Sequence, residues 1–251
     1  MRNGADCRVG SQIRLHRVED ASHAIGGKYR GEPVGNCRYS DMTIFSFHPV
    51  KIITTGEGGI ITTNSSELYQ LLIRLRSHGI TRDPVLMDGD SHGAWYYQQI
   101  ELGFNYRMTD MQATLGTSQM SRLDEFAIRR HEIARRYNQL LSGLPLILPW
   151  QSPDGYSAFH LYVVRIDPAK TTISRRTLFD ELRNANIGVN VHYIPVHTQS
   201  YYRRLGFTNG MFPEAESYHA ETISLPMFSA MTVIQQDRVV GVINEIFDHV
   251  K

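Results

Sequence analysis

The chain has 251 residues, a formal net charge of +1, and 41% apolar and 20% charged residues, a composition suited to one large globular domain or two modest ones. Its balanced charge provides no field to hold nucleic acid or an anionic membrane, and no apolar run reaches bilayer-spanning length. Two cysteines, Cys7 and Cys37, are too few for a disulfide framework and form no CxxC pair, and His192 and His197 have no metal-motif spacing, so the expectation is a reducing cytoplasmic setting with no metal.

Residues 1–17 are arginine-rich and lack the apolar stretch of a secretory signal. Arg17–Asp20 reads as the end of a short strand with Asp20 at its tip. The β-prone runs 42–47 (MTIFSF) and 59–63 (GIITT) flank HPVKIITTGEGG, whose proline and glycines predict a loop and a tight turn. Arginine is this chain's default surface cation, since only Lys28, Lys51, Lys170 and Lys251 among 26 basic residues are lysine. A lysine amid glycines and apolar residues, as at position 51, therefore invites a chemical explanation. The spacing of Leu68, Leu71, Leu72 and Leu75 predicts a helix over 66–77, and 82–105 is irregular. A long helical stretch over 109–141 is expected to break near Gly116, with RRHEIARR (129–136) as a solvated face rather than a nucleic-acid contact. A connector with a strand through LPLILPW, a strand over 158–166, a helix over 174–184 capped by Ser174, a strand over 189–193 and a last helix over 233–250 complete an α/β pattern. A boundary is expected near 125–150, along the long helix.

Three segments carry candidate chemistry: VEDASHAIGG (18–27), SFHPVK (46–51) and TTGEGGIITT (54–63). Alone, each fits a bland reading: Asp20 capping a turn, Ser46 ending a strand, the glycines shaping a hairpin. No GK[ST] follows Gly56, Gly58 and Gly59, so they form no phosphate loop and are expected to set backbone geometry. Together and in this order, with GFNYRMTDMQATLG (103–116), NVHYIPVHTQSYYRRLGF (190–207) and FPEAESYHAETISLPMF (212–228), they resemble the DegT/StrS family of pyridoxal-phosphate (PLP)-dependent nucleotide-sugar aminotransferases. EDASHAIGG and SFHPVKIITTGEGG look most like the branch that makes pseudaminic acid by 4-amination of a UDP-4-keto sugar.

The resemblance implies the fold type I, aspartate aminotransferase-like α/β architecture. Residues 1–17 would be an unmatched segment, 18–125 the remainder of an incomplete PLP-binding large domain, and 126–251 a C-terminal α/β small domain. It implies that Lys51 bonds to PLP and shuttles protons, that Asp20 meets the pyridinium nitrogen, that His23 lies near the ring hydroxyl and that Ser46 binds the phosphate. Asn105 would reach the phosphate in a neighbouring subunit, making a homodimer with shared sites; Arg107 either helps or forms an ordinary salt bridge. His192 and Tyr193 would sit near the sugar, or simply pack. The implied partners are a nucleotide-linked keto sugar, a UDP-linked 4-keto-6-deoxy amino sugar, and L-glutamate as amino donor, with neither nucleic acid nor membrane.

Family members are longer at the N-terminus, where they carry further strands, a phosphate-binding turn and a ring-stacking residue, so a truncated chain is expected to leave apolar sheet edges exposed. A catalytically inactive fragment or pseudoenzyme acting through subunit association is therefore the alternative expectation. Lys51 speaks against a sugar dehydratase of the same fold, whose members carry histidine there. No strongly basic domain supports a DNA-binding regulator.

Overall fold

The computed structural model describes residues 15–248, which divide into two compact units, one running to Leu123 and the other starting at Asp124.

In the first unit, β1 (Val18–Asp20) is followed by a short hairpin, β2 (Lys28–Tyr29) and β3 (Glu32–Pro33), and then by β4 (Met42–Ser46) and β5 (Gly59–Thr62). β1 pairs in parallel with β4, Val18 opposite Met42 and Asp20 opposite Ile44. β5 returns antiparallel on the other side of β4, Ser46 opposite Gly59, giving the order β1-β4-β5. The period-two alternation of β4 buries Thr43 and Phe45 and turns Ile44 outward. Ile44, Ile60 and Ile61 remain exposed and, with Leu72, Phe104 and Tyr106, line an apolar groove of about 680 Å³.

Helix α1 (Ser66–Leu75) starts where the Ser65 side chain accepts from Leu68 N, and the two-residue strands β6 (Ile80–Thr81) and β7 (Gln98–Gln99) pair within the irregular stretch. Helix α2 (Asp110–Met120) opens with a reciprocal capping box between Thr109 and Gln112. The expected break near Gly116 is not there. Gly116 is buried inside α2, where a Cβ would lie 2.8 Å from the Thr55 methyl, so its lack of a side chain serves close packing. The break falls at Ser121–Arg122, between α2 and α3 (Leu123–Leu141).

In the second unit, β8 (Leu146–Ile147) and the short β9 (Gly155–Tyr156) precede β10 (Tyr162–Ile166), α4 (Arg175–Asn184), α5 (Ser200–Arg204), α6 (Pro213–Glu221), β11 (Thr222–Leu225) and α7 (Val233–Asp248). β10 is the centre of an antiparallel sheet, order β11-β10-β8, with Tyr162 opposite Leu225 and Arg165 opposite both Thr222 and Ile147. The core joins Tyr137 and Leu141 of α3, Tyr162 and Val164 of β10, Leu178 and Leu182 of α4, Ile223 of β11 and Ile243 of α7. The Tyr137 and Tyr162 rings lie 4.9 Å apart, and each hydroxyl is satisfied, Tyr137 donating to Pro226 O at 3.0 Å and Tyr162 to Asn138 Oδ1 at 2.5 Å.

Three expectations change here. The strand expected from residue 158 starts at Tyr162, because Phe159 takes a positive φ of 48° and the Phe159 and His160 carbonyls are turned to Arg130. RRHEIARR is not a solvated face throughout. Ile133 and Ala134 are buried, and so is Arg130, whose Nη1 donates to Phe159 O at 2.9 Å and to His160 O and Met227 O at 3.3 Å each. Burial pushes its pKa down to about 10, still charged at neutral pH. Likewise 189–193 forms no strand; Asn190 alone bridges Ser224. The last helix is described to Asp248, and the residues beyond lie outside the described residues.

Removing Arg130 would take a donor from three carbonyls, those of Phe159 and His160 in buried contacts and that of Met227 in a part-buried one. Arg130→Ala is expected to lower the unfolding free energy in urea by about 3 kcal/mol, whereas Arg135→Ala, at an exposed position of the same helix, should change it by less than about 0.5 kcal/mol.

Candidate active site

Because β1 and β4 run in parallel, both end on the same side of the sheet, the side on which open α/β sheets bind ligands. Asp20 is the last residue of β1 and Ser46 the last of β4. Asp20 Oδ1 accepts from Ser22 N at 3.0 Å and from Ser22 Oγ at 2.5 Å. These bonds hold the Asp20 carboxyl below its ordinary range, the hydroxyl contributing most and the amide next; burial opposes them, and attraction to His23 and Lys51 adds the smallest effects. The carboxylate is thus held as an anion with both Ser22 bonds on one oxygen.

Lys51 lies in the loop after β4, and the loop is pinned at several points. Lys51 N donates to His48 O at 2.9 Å, Phe47 N to Gly58 O at 2.8 Å, and Thr55 N and Thr54 Oγ1 to Phe47 O at 3.0 Å each. Ile52 and Ile53 are buried on the C-terminal side of Lys51, and Thr54 N donates to Gln119 Oε1 of α2 at 3.1 Å. Gln112 Nε2 donates to Glu57 O at 3.0 Å, which ties the glycine turn to the same helix. Gly56 has φ of +80°, and a Cβ on Gly59 would lie 2.7 Å from the Phe45 carbonyl, so both glycines serve the backbone. Desolvation lowers the Lys51 pKa, and the Asp20 carboxylate partly opposes it. An amine shifted this way is neutral more often near pH 7 than an ordinary lysine, and so is a better nucleophile and proton acceptor.

The structure therefore brings His23 and Lys51 each within electrostatic reach of Asp20. Ser46, five residues before Lys51, has Oγ 3.4 Å from His48 N, which donates to it. The Asn105 backbone bridges Ser77, and Asn105 and Arg107 are both exposed. His192 and Tyr193 belong to the second unit, where the rings meet edge to face at 4.7 Å and His192 Nδ1 lies 2.7 Å from Ser224 Oγ. Ser22, Gln112 and Gln119 escape motif reading. The Asp-x-Ser spacing of 20–22 signals an Asx turn and could have revealed Ser22; the glutamines act through contacts distant in sequence. Among the described residues no group of His, Cys, Asp or Glu could hold a metal ion, and no helix is long and apolar enough to cross a membrane.

Residues 8–244 match the DegT/DnrJ/EryC1/StrS aminotransferase family. The chain belongs to that family. The match begins ten residues ahead of Val18, where the quoted motifs begin. Over 95% of its length the chain is 38% identical to the spore coat polysaccharide biosynthesis protein SpsC of Bacillus subtilis and 35% identical to the UDP-4-amino-4-deoxy-L-arabinose–oxoglutarate aminotransferase of Shewanella sediminis. It spans 61% and 62% of those two proteins. Among solved structures, the PLP form of the putative sugar aminotransferase Spr1654 of Streptococcus pneumoniae superposes with a TM-score of 0.82 at 30% identity, covering 93% of this chain and 58% of that one. Helicobacter pylori PseC, an aminotransferase of pseudoaminic acid biosynthesis, gives 0.88 at 25% identity, covering 99% and 64%. The mixed α/β architecture is that of the fold type I aminotransferases.

The family's cofactor is PLP, and the donor set beside β1 and β4 fits it: an anionic carboxylate suits a protonated ring nitrogen, and a desolvated amine suits an aldehyde carbon. The coupling between the two groups has a sign that titration can check. Asp20 raises the Lys51 pKa against desolvation, so Asp20→Asn should drop the Lys51 midpoint further below the ordinary lysine value. Carbon-13 methylation of the four lysines followed by NMR titration resolves it; an unmoved Lys51 midpoint would mean that the two groups do not interact.

Proposed function

We propose that this chain is the lysine-bearing part of an aminotransferase that moves the amino group of L-glutamate, with PLP, to a UDP-linked 4-keto-6-deoxy amino sugar. The observation that carries this reading is the desolvated Lys51 amine within reach of an Asp20 carboxylate held ionised by Ser22. PLP, when bound, supplies an electron-poor ring that eases proton loss from the carbon bearing the transferred nitrogen.

In this reading Lys51 Nζ would hold the cofactor and would take up and return a proton beside it, a role its lowered pKa suits. Asp20 holds the proton on the ring nitrogen, and Ser22 keeps the carboxylate anionic and aimed. His23 would lie near the ring hydroxyl, and Ser46 would hold the phosphate. Exposed Asn105 serves the phosphate of a second copy of the chain, so two copies share their sites. His192 and Tyr193 meet the sugar. The glutamate assignment draws support from the oxoglutarate in the name of the Shewanella relative, and the sugar from PseC.

A second reading, a catalytically inactive pseudoenzyme that acts only by subunit association, draws on one observation: the β1-β4-β5 sheet leaves Ile44, Ile60 and Ile61 exposed. Cofactor capture separates the readings. The folded chain, mixed with PLP and reduced with borohydride, should carry a phosphopyridoxyl group on the Lys51 peptide and none in Lys51→Ala, and L-glutamate added before reduction should release 2-oxoglutarate. A folded sample without specific label on Lys51 overturns the catalytic reading and leaves the association reading.

A further inference from the structure

The chain turns at once beyond the end of β1, and the turn is anchored on both sides of Ser22. Ala21 N donates to Ile44 O at 2.9 Å, which carries the parallel pairing one residue past Asp20, and Ala21 is buried. Ala24 N then donates back to Ala21 O at 2.8 Å and closes a turn over 21–24. Ser22 is thereby held against Asp20, and both of its donors, the amide at 3.0 Å and the hydroxyl at 2.5 Å, reach the same oxygen, Oδ1. Among the described residues Oδ2 accepts no hydrogen bond, and Asp20 is exposed. The amide alone would complete an Asx turn; the hydroxyl adds a charge-assisted bond to the same oxygen. Two donors on one oxygen fix the rotation of the carboxylate and leave Oδ2 with accepting capacity to spare. The titratable neighbours, His23 and Lys51, act on Asp20 by attraction, each more weakly than either Ser22 bond.

We propose that Ser22 is a positioning residue for the cofactor ring: by placing both of its donors on Oδ1, it reserves Oδ2 of Asp20 for the N–H of the pyridinium. The proposal rests on the reading of Asp20 as the partner of the ring nitrogen. A carboxylate free to rotate would offer either oxygen and would lose that freedom when the ring binds, whereas one already pinned through Oδ1 has less to lose. Ser22 acts only through Asp20. Its amide bond and the 21–24 turn do not depend on the hydroxyl, so Ser22→Ala removes the hydroxyl bond and keeps the rest.

Carbon-13 NMR of the aspartate carboxyls in the full chain, with Asp20 assigned through Asp20→Asn, reads the hydroxyl bond before any cofactor is added. Ser22→Ala should raise the Asp20 midpoint toward the ordinary aspartate value, and Ser22→Thr should bring it back down. A second measurement compares the concentrations of PLP, and of its analogue with carbon in place of the ring nitrogen, that half-saturate the borohydride-trapped label on Lys51. Ser22→Ala should raise that concentration about tenfold for PLP, the size of one hydrogen bond to a charged group, and leave it unchanged for the carbon analogue. Ser22→Thr should match the unaltered chain with both compounds. An unmoved Asp20 midpoint, no loss for PLP, or an equal loss for the two compounds overturns the role of Ser22 while Lys51 still labels. An unaltered chain that labels Lys51 with neither compound overturns the cofactor reading and the proposal together, so the two failures are distinguishable.

Discussion

The parallel pairing of β1 with β4 is the constraint on which the chemistry of the first unit depends. Parallel strands end together, and here one ends in Asp20 and the other in Ser46, with Lys51 in the loop that follows. A shift of one residue in that register would turn each side chain to the opposite face and separate the carboxylate from the amine. The attraction between them works against the desolvation of Lys51, so the lysine is tuned by two opposed effects rather than by burial alone. Loop 47–59 keeps this balance because its backbone is tied to itself through Phe47 and to α2 through Gln112 and Gln119. A helix distant in sequence thereby supports the catalytic candidate without touching it.

The second unit solves a different problem. Its sheet and helices close a core of their own around Tyr137 and Tyr162, and its polar groups are arranged from inside that core. Arg130 illustrates the balance. A buried guanidinium is expensive to desolvate, and three carbonyl acceptors offset that cost while forcing 158–161 out of the strand.

Much of this was legible in the sequence. Strands β4 and β5 show themselves through β-branched and aromatic runs bounded by turn residues, α1 through its leucine spacing, and α4 through its Ser174 cap and apolar positions. Lys51 stands out because lysine is rare in this chain, and Asp20 because it ends a strand. What escaped was set by tertiary contacts. Gly116 looks like a helix breaker until the Thr55 methyl is seen against it, and Arg130 looks like a surface charge until its carbonyls are found. Helix α5 lacks a side-chain cap, while α6 opens on Pro213 with Glu214 and Glu216 in its first turn, a start signal that the motif reading passed over. Asn105, His192 and Tyr193 were named through motif resemblance, which carries no distances; their surroundings came from the fold.

The central claim is that Lys51 and Asp20 form one cofactor site at the shared end of β1 and β4. The most direct test is a crystal structure of the chain after incubation with PLP and borohydride reduction. The account predicts continuous electron density from Lys51 Nζ to the cofactor, with the ring nitrogen against the Asp20 carboxylate and Ser22 still bonded to Asp20. Cofactor attached to Lys28, Lys170 or Lys251 instead, or a ring nitrogen turned away from Asp20, would contradict it.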